Sequence, residues 1–228
     1  MSITLILLAI APALAICGYI IHKDRFDKEP KWLLFLAFFF GVLSIFPAAI
    51  GSAIGSNFFQ VSNNIINTAL FTFLVVALSE EFAKFFFLRF ILFKRKEFNE
   101  PLDGIVYAVM IGMGFASFEN LLYVAEGGWD VALMRMITAV PAHAIFAVIM
   151  GYYVGLAKFD LTHKNELLNK GLLYPILLHG AYDFFLMQRN FPLLSLLALV
   201  GLWQSGKYVR YILKQSVENS TTNNDQLL

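Results

Sequence analysis

The sequence has little charge and almost no cysteine. Only 14% of its 228 residues are Asp, Glu, Lys or Arg, against about 25% in an average soluble domain. The single cysteine, Cys17, excludes an internal disulfide framework and a metal site built from several cysteines. The formal net charge of +1 is close to balanced, so the composition does not indicate a nucleic-acid partner.

What the chain has instead is apolar length. Hydrophobic residues make up 59% of it, the mean hydropathy is +0.69, and apolar stretches of roughly 20 residues recur from end to end. This pattern predicts an all-α protein, a polytopic transmembrane helical bundle that has the lipid bilayer as its surroundings. About seven spans are predicted, at about 2–21, 32–55, 67–93, 104–125, 133–157, 171–188 and 191–211.

The predicted spans form one integral membrane domain over residues 1–211. No basic segment precedes the first span, so it is interpreted as an uncleaved helix rather than a signal peptide. The polar C-terminal stretch 212–228 is predicted to be a disordered cytoplasmic tail.

The basic residues predict how the bundle is oriented. Most of the 17 lysines and arginines fall in the loops on one side of the predicted spans, whereas only Arg135 and Arg189 fall on the other. Loops rich in Lys and Arg stay in the cytoplasm. The N-terminus is therefore predicted outside the cell and the C-terminus in the cytoplasm.

Ionisable residues inside the predicted spans are the most informative feature of the sequence. Each costs about 2.5–3.5 kcal/mol at the centre of a membrane helix, and such residues usually face a polar interior. Six of them on four predicted helices are therefore expected to converge on one polar cavity. They are Glu80, Glu81, Glu119, His143, His179 and Asp183.

Helical spacing groups some of these side chains. Glu80 and Lys84 are four residues apart and share a helix face, and so do His179 and Asp183. If Lys84 serves Glu80, Glu81 has no basic partner in its own helix, which favours a functional role for it. A structural alternative stays open, in which Glu80 and Lys84 form a buried ion pair only.

Small residues accompany the charged ones on two of the predicted helices. Gly112 and Ala116 share a stripe with Glu119, and Ala147 and Gly151 share one with His143. Small residues let membrane helices approach closely, so these stripes are predicted to be helix contacts. His143 taken alone is equally consistent with a hydrogen bond between helices.

Two classes of function fit carboxylates and histidines inside a membrane. One is hydrolysis, in which Glu and His activate water for attack on a peptide carbonyl, with or without a metal. The other is ion- or proton-coupled transport, in which such residues relay charge. Transporters often carry inverted repeats, and none is visible here, which favours hydrolysis without deciding it.

Four segments in order resemble the PrsW family of bacterial intramembrane proteases. They are EEFAK at 80–84, FASFEN at 115–120, PAHA at 141–144 and HGAYD at 179–183. The flanking segments KDRFDKEP at 23–30, LDGIVYAV at 102–109 and VIMGYYVGLAKF at 148–159 are similar too. The family is related to the type II CAAX prenyl endopeptidases. Lys84 and Glu119 depart from the CAAX pattern and match PrsW.

The resemblance implies an intramembrane endopeptidase in the bacterial plasma membrane. Its implied partner is a single-span membrane protein, an anti-sigma factor, which would receive the first, site-1-type cut of a stress-response cascade. The implied catalytic residues are Glu80, Glu81, His179 and Lys84. The implied metal ligands are Glu119, His143, His179 and Asp183.

The cofactor and the identity of the base stay open at this point. Two His and several carboxylates suffice for a zinc site with a free water position, and the same groups suffice for a metal-free Glu/His mechanism. The sequence has no HExxH segment, so it is not a zincin. It does not decide between Glu80 and Glu81 as general base.

The depth of these residues predicts where a substrate is cut. At about 1.5 Å per residue, Glu80 lies roughly 20 Å and His143 roughly 15 Å below the outer ends of their predicted spans. In an apolar core about 30 Å thick, the site then lies in the middle to outer half. The cut is expected near the outer end of the substrate helix.

Overall fold

The chain forms a bundle of helices in the computed structural model, which describes residues 1–24, 27–188 and 191–225. Over these residues it contains no β-strand, and the predicted all-α class is confirmed. The helices are α1 (Ile3–Lys23), α2 (Lys31–Gly55), α3 (Ile65–Leu70), α4 (Leu78–Phe90), α5 (Pro101–Ile137), α6 (Ala139–Phe159), α7 (Lys164–Leu186) and α8 (Ser195–Asp225).

Side-chain caps begin several of these helices. Ser2 Oγ accepts the amide of Leu5 at the start of α1, and the Asn64 side chain accepts the amide of Ile66 at the start of α3. Such caps satisfy amide groups that have no partner within the helix.

The start of α5 is the most strongly specified helix end. Pro101 occupies the first helical turn, and Glu100 and Asp103 form a capping box. Asp103 Oδ2 accepts the amides of Asn99 at 2.7 Å and Glu100 at 2.8 Å. The two carboxylates therefore lie close together at this end of the bundle.

A π-helical segment, Phe71–Ala77, joins α3 to α4. Its wider turns are common near functional sites in other proteins, and here they lead directly into Glu80 and Glu81. The segment packs against α7, since a Cβ added to Gly180 would lie 2.5 Å from the ring of Phe73. The π segment therefore helps to set how α4 faces α7.

Helix α5 reverses direction at Gly128. This glycine has a φ of 66°, in the left-handed region that favours glycine. In a straight helix Glu119 and Arg135 would be about 24 Å apart, but Arg135 Nη2 lies 2.5 Å from Glu119 Oε2. The last part of α5 therefore folds back over the helix before α6 begins.

Glycines let α5 and α6 cross closely. A Cβ added to Gly151 would lie 2.3 Å from the carbonyl oxygen of Gly104, and one added to Gly112 would lie 2.7 Å from the Cβ of Ala147. The predicted helix contacts of Gly112, Ala147 and Gly151 are thereby confirmed. α5 also packs against α1 and α2, so it forms the centre of the bundle.

Within the described ranges, four segments are long and apolar enough to cross a membrane. They are Ile3–Lys23, Lys31–Gly55, Ile65–Lys94 and Pro101–Phe159. The fourth combines α5 and α6, and the described residues of α7 and α8 do not reach the same apolar threshold. The count of seven spans and the outward N-terminus stay predictions.

Two predictions from the sequence involve residues that lie outside the described ranges. Arg25 and Arg189, which entered the charge argument for orientation, lie outside them. α8 continues to Asp225, into the stretch 212–228 expected to be a disordered tail, and residues 226–228 are not described. The division into a membrane domain and a tail stays a prediction.

Candidate active site

The ionisable residues singled out from the sequence lie in one connected network. α4 carries Glu80, Glu81 and Lys84, and α5, α6 and α7 carry the others. Contacts between side chains link them all without a break. The members of the network are Glu80, Glu81, Lys84, Glu119, His143, His179 and Asp183.

Lys84 lies at the centre of the network and is only 3% exposed. Its ammonium is 2.8 Å from Glu81 Oε1 and 3.4 Å from Glu80 Oε2. The expected pair of Lys84 with Glu80 is present, but the expectation that Glu81 has no basic partner is wrong. Residues three and four positions before a lysine both lie one helical turn away, so Lys84 can reach Glu81 as well as Glu80. Glu81 is 0% exposed and points into the bundle, which favours its shorter contact with Lys84.

His179 bridges α7 to the two glutamates. Its Nδ1 lies 2.8 Å from Glu81 Oε1, and its Nε2 lies 3.3 Å from Asp183 Oδ2 and 3.9 Å from Glu80 Oε2. The ring of Phe146 stacks on the imidazole at 5.0 Å between centroids. Carboxylates at both nitrogens and an aromatic ring on one face fix the orientation of this histidine.

His143 connects the glutamates on α4 to Glu119 on α5. Lys84 Nζ lies 3.3 Å from His143 Nδ1, and His143 Nε2 lies 3.0 Å from Glu119 Oε2. An ammonium can only donate, so Nδ1 accepts and the ring proton is on Nε2, where it points at Glu119. The other partner of Glu119 is Arg135, at 2.5 Å.

A cavity of about 310 Å³ opens onto part of this network. Glu81 and Lys84 lie behind its lining, and the other five members of the network line it: Glu80, Glu119, His143, His179 and Asp183. Phe71, Phe146 and Leu186 supply apolar wall. The cavity therefore has room for water and for a segment of extended chain beside three carboxylates and two imidazoles.

The donor atoms suit a metal ion in type and spacing. One ligand atom from each of Glu80, Glu81, His143 and His179 lies within 4.8 Å of the other three. Nitrogen and carboxylate oxygen are the ligands that zinc takes in catalytic sites. Among the described residues, buried Glu81 Oε2 has no hydrogen-bond partner, so this residue retains a free ligand atom.

Glu119 and Asp183, expected as metal ligands, are not among the four residues whose ligand atoms lie close enough together to share a metal ion. Each contacts an imidazole nitrogen, Glu119 at His143 and Asp183 at His179. Carboxylates in this position orient a metal-binding histidine and raise its basicity. The structure groups Glu80 and Glu81 with the histidines instead, and the ligand set stays a prediction.

The network lies towards one end of the bundle. His143 is about 6 Å from the start of α6 at Ala139, and His179 is about 10 Å from the end of α7 at Leu186. Glu119 is about 13 Å from the reversal at Gly128. The expected depth of His143 was greater, because its predicted span began before α6 does.

Arg135 is the residue of the site that the sequence interpretation missed. It was counted as a loop cation, yet it lines the cavity and contacts both Glu119 and the side chain of Asn120. Asn120 also donates to the carbonyl of Ala9 at 3.2 Å, so it ties α5 to α1. The one signal in the sequence was that Arg135 is a rare basic residue on the outer side of the predicted spans, which could have indicated a role in the site.

Comparison with known proteins decides the family. A family model described as PrsW family intramembrane metalloprotease matches residues 29–205. The protein named Protease PrsW in Oceanobacillus iheyensis is 40% identical over 216 residues, covering 94% of this chain and 96% of that protein. This chain belongs to the PrsW family of intramembrane metalloproteases.

Other PrsW relatives agree with this assignment. Protease PrsW of Geobacillus kaustophilus is 37% identical over 82% of this chain and 81% of that protein, and Protease PrsW of Bacillus subtilis is 35% identical over 86% and 89%. No solved structure matches the chain.

The resemblance drawn from the four motifs is confirmed. As a member of the PrsW family the chain is a peptidase and a multi-pass protein of the bacterial plasma membrane. The transporter alternative loses its support, because the family is one of proteases.

Proposed function

We propose that this PrsW protein is an endopeptidase that cuts a single-span membrane protein, by resemblance an anti-sigma factor, within or beside the membrane. The observation that carries the proposal is the cavity of about 310 Å³ lined by Glu80, His143 and His179. A buried carboxylate beside imidazoles and a water-sized space is the arrangement that hydrolysis of a peptide bond requires.

Glu80 is the general base in this proposal. It lines the cavity, and its contact to Lys84 is longer than that of Glu81. Its carboxylate takes a proton from a cavity water as that water attacks the peptide carbonyl, and then gives the proton to the leaving amine. Glu81 lies behind the lining and serves as a holding group.

His143, His179 and Glu81 are the groups that would hold a zinc ion. Bound there, zinc would polarise the peptide carbonyl and lower the pKa of water. Glu119 and Asp183 keep the two imidazoles in place through the contacts at 3.0 and 3.3 Å.

Lys84 favours the metal-free alternative. Its ammonium contacts Glu81 and His143, the same groups that would ligate the ion. Without a metal, His179 orients the attacking water and Lys84 keeps the glutamates in place. Metal analysis of active, chelator-washed protein separates the two mechanisms, because full activity with no stoichiometric metal excludes the zinc site.

The cut is proposed near the outer end of the substrate helix. His143 and His179 lie about 6 Å and about 10 Å from the ends of their helices. The charge bias assigns those ends to the outside. A cut there leaves most of the substrate span for a second protease, as a site-1-type cut requires.

The test compares membranes rather than one guessed substrate. Cells producing the wild-type protein, Glu80→Gln or the control Glu126→Gln are grown in parallel, and the termini of membrane proteins are mapped by mass spectrometry. Glu126 is exposed on α5, away from the cavity. A new terminus near the outer end of a single-span protein is expected with wild type and control only.

Two results would contradict the proposal in different ways. If the same new termini form with Glu80→Gln as with wild type, Glu80 is not needed for catalysis. Termini at the cytoplasmic end of the substrate helix would show that the orientation or the opening of the cavity is wrong, while leaving the peptidase intact.

A further inference from the structure

A second group of buried carboxylates lies at the opposite end of α5 from the candidate active site. One oxygen from each of Asp24, Glu100 and Asp103 lies within 4.8 Å of the other two. Asp103 and Glu119 are about 24 Å apart along α5, so this group, which we call the acidic cluster, is separate from the peptidase residues.

The acidic cluster contains free ligand atoms. Asp24 is 2% and Asp103 is 0% exposed. Asp24 Oδ2 accepts the amide of Glu29, and Asp103 Oδ2 accepts two backbone amides. Within the described parts of the chain, the other oxygen of each, Oδ1, is buried without a hydrogen-bond partner. Unpaired buried acceptors of this kind are rare in folded proteins.

The cluster also has no cation in direct contact with it among the residues that the structure describes. Glu29 is a fourth buried carboxylate beside Asp103, and it accepts a hydrogen bond from the hydroxyl of Tyr107. No lysine or arginine in the described ranges forms an ion pair with these four side chains. Lys28 and Lys158 attract Asp24 and Asp103 only at longer range, without an ion pair. The ammonium of Lys158 donates to the carbonyl of Arg95.

Burial of so much like charge is unfavourable. It raises the pKa of Asp24 to about 6 and that of Glu29 to about 7, and it raises the pKa of Glu100 as well. Closely placed carboxylates in a low-dielectric site need either shared protons or a bound cation.

We propose that Asp24, Glu100 and Asp103 form a binding site for one divalent cation of the oxygen-preferring class, Mg²⁺ or Ca²⁺. The donor set is entirely oxygen, which suits these hard ions and does not suit a soft one. The site contains no histidine or cysteine, in contrast to the His-containing active site.

The bound cation joins three distant parts of the chain. Asp24 follows the end of α1, and Glu100 and Asp103 begin α5. Ser220 of α8 donates to Glu100 Oε1 at 2.9 Å, so the C-terminal helix is held at the same place. The inference does not depend on the roles proposed for Glu80 or His179.

The test measures binding and stability on the full-length protein in detergent after removal of metal with a chelator. Tb³⁺ serves as an oxygen-seeking probe, and its luminescence is excited through nearby Tyr107. Mg²⁺ and Ca²⁺ are then added in separate samples, both to displace Tb³⁺ and to follow thermal unfolding. The ion that displaces Tb³⁺ at the lower concentration is the better occupant.

We expect one Tb³⁺ per chain and a melting temperature raised by about 5–10 °C when Mg²⁺ or Ca²⁺ is about 100-fold above its Kd. Asp24→Asn and Asp103→Asn should lose most of both effects. The matched control is Asp130→Asn, an exposed aspartate near the opposite end of α5 from the cluster.

The wild-type protein decides the matter even if a variant does not fold. No displaceable Tb³⁺ and no thermal shift at about 1 mM Mg²⁺ or Ca²⁺, the weak end of protein calcium sites, would overturn the proposal and leave shared protons as the explanation. Equal shifts in wild type, Asp24→Asn and Asp103→Asn would overturn it too.

Discussion

The candidate active site and the acidic cluster are both buried and both rich in carboxylates, but they balance charge differently. At the active site, Lys84 contacts Glu80 and Glu81, and Arg135 contacts Glu119. The acidic cluster has backbone amides and a serine as partners. Among the described residues, no lysine or arginine forms an ion pair with it.

The difference separates two uses of buried charge. A cluster with its own cations keeps a fixed arrangement while leaving the Glu80 carboxylate, which has only the longer contact to Lys84, at a cavity. A cluster of acids alone needs a proton or an ion from outside the chain. Function at the first is therefore expected to depend on single side chains, and stability at the second on what the solution supplies.

The largest expected effect is on catalysis. Glu80→Gln should lower the rate of substrate cleavage by about 10²–10⁴-fold, the usual contribution of a general base. Glu29→Gln removes a buried carboxylate beside the acidic cluster instead. Because Glu29 takes no part in proton transfer, this variant should change the cleavage rate by less than about 3-fold. Cleavage of a substrate identified by terminus mapping is the measurement. Equal losses in both variants would erase the functional contrast.

The next largest effect is the loss of stability when Lys84, the buried cation of the candidate active site, is replaced. Lys84→Met leaves Glu81 buried without its ammonium partner and should lower the free energy of unfolding by about 3–5 kcal/mol. Adding Glu81→Gln to Lys84→Met should restore part of that loss, because the uncompensated charge is gone. Thermal unfolding in detergent measures both. A loss in the double variant as large as in the single one would show that packing, not charge, explains the effect.

A smaller effect tests the helix crossing between the two regions. Gly151→Ala would place a Cβ 2.3 Å from the carbonyl oxygen of Gly104 and should destabilise the protein by about 1–3 kcal/mol. Gly18→Ala on α1 is the control, since no atom lies within 4 Å of its added Cβ. Equal stability of the two variants would mean that the close crossing contributes little.

The smallest expected effect is the change in stability caused by Asp24→Asn, and its sign should depend on whether a divalent cation is present. In chelator, Asp24→Asn relieves repulsion in the acidic cluster and should raise the free energy of unfolding by roughly 1 kcal/mol. In Mg²⁺ or Ca²⁺ it removes a ligand and should be less stable than wild type. Paired thermal unfolding experiments with and without the ion make the comparison. The same sign in both conditions would remove the cation from the explanation.

Motifs and spacing predicted much of the candidate active site. The apolar runs predicted the helices, and the charges inside them predicted Glu80, Glu81, Glu119, His143, His179 and Asp183 as one group. All six are in the contact network. Such a prediction succeeds because a charge inside a membrane helix is unfavourable unless other polar groups surround it.

The partners of these residues were harder to predict. Spacing places both Glu80 and Glu81 within reach of Lys84, and only the rotation of α4 against α7 decides that Glu81 has the shorter contact. Arg135 enters the site because Gly128 reverses α5. A glycine in a helical segment does not reveal from sequence alone which way the chain turns after it.

By itself, then, the sequence determined that the chain is helical, apolar and a PrsW-type protease, since composition, periodicity and motif order all lie along the chain. Only the tertiary structure decided that Glu80 rather than Glu81 lines the cavity and that Asp24 meets Glu100 and Asp103. Those contacts join residues far apart in sequence. They depend on how helices cross and rotate, and packing across the whole bundle sets both.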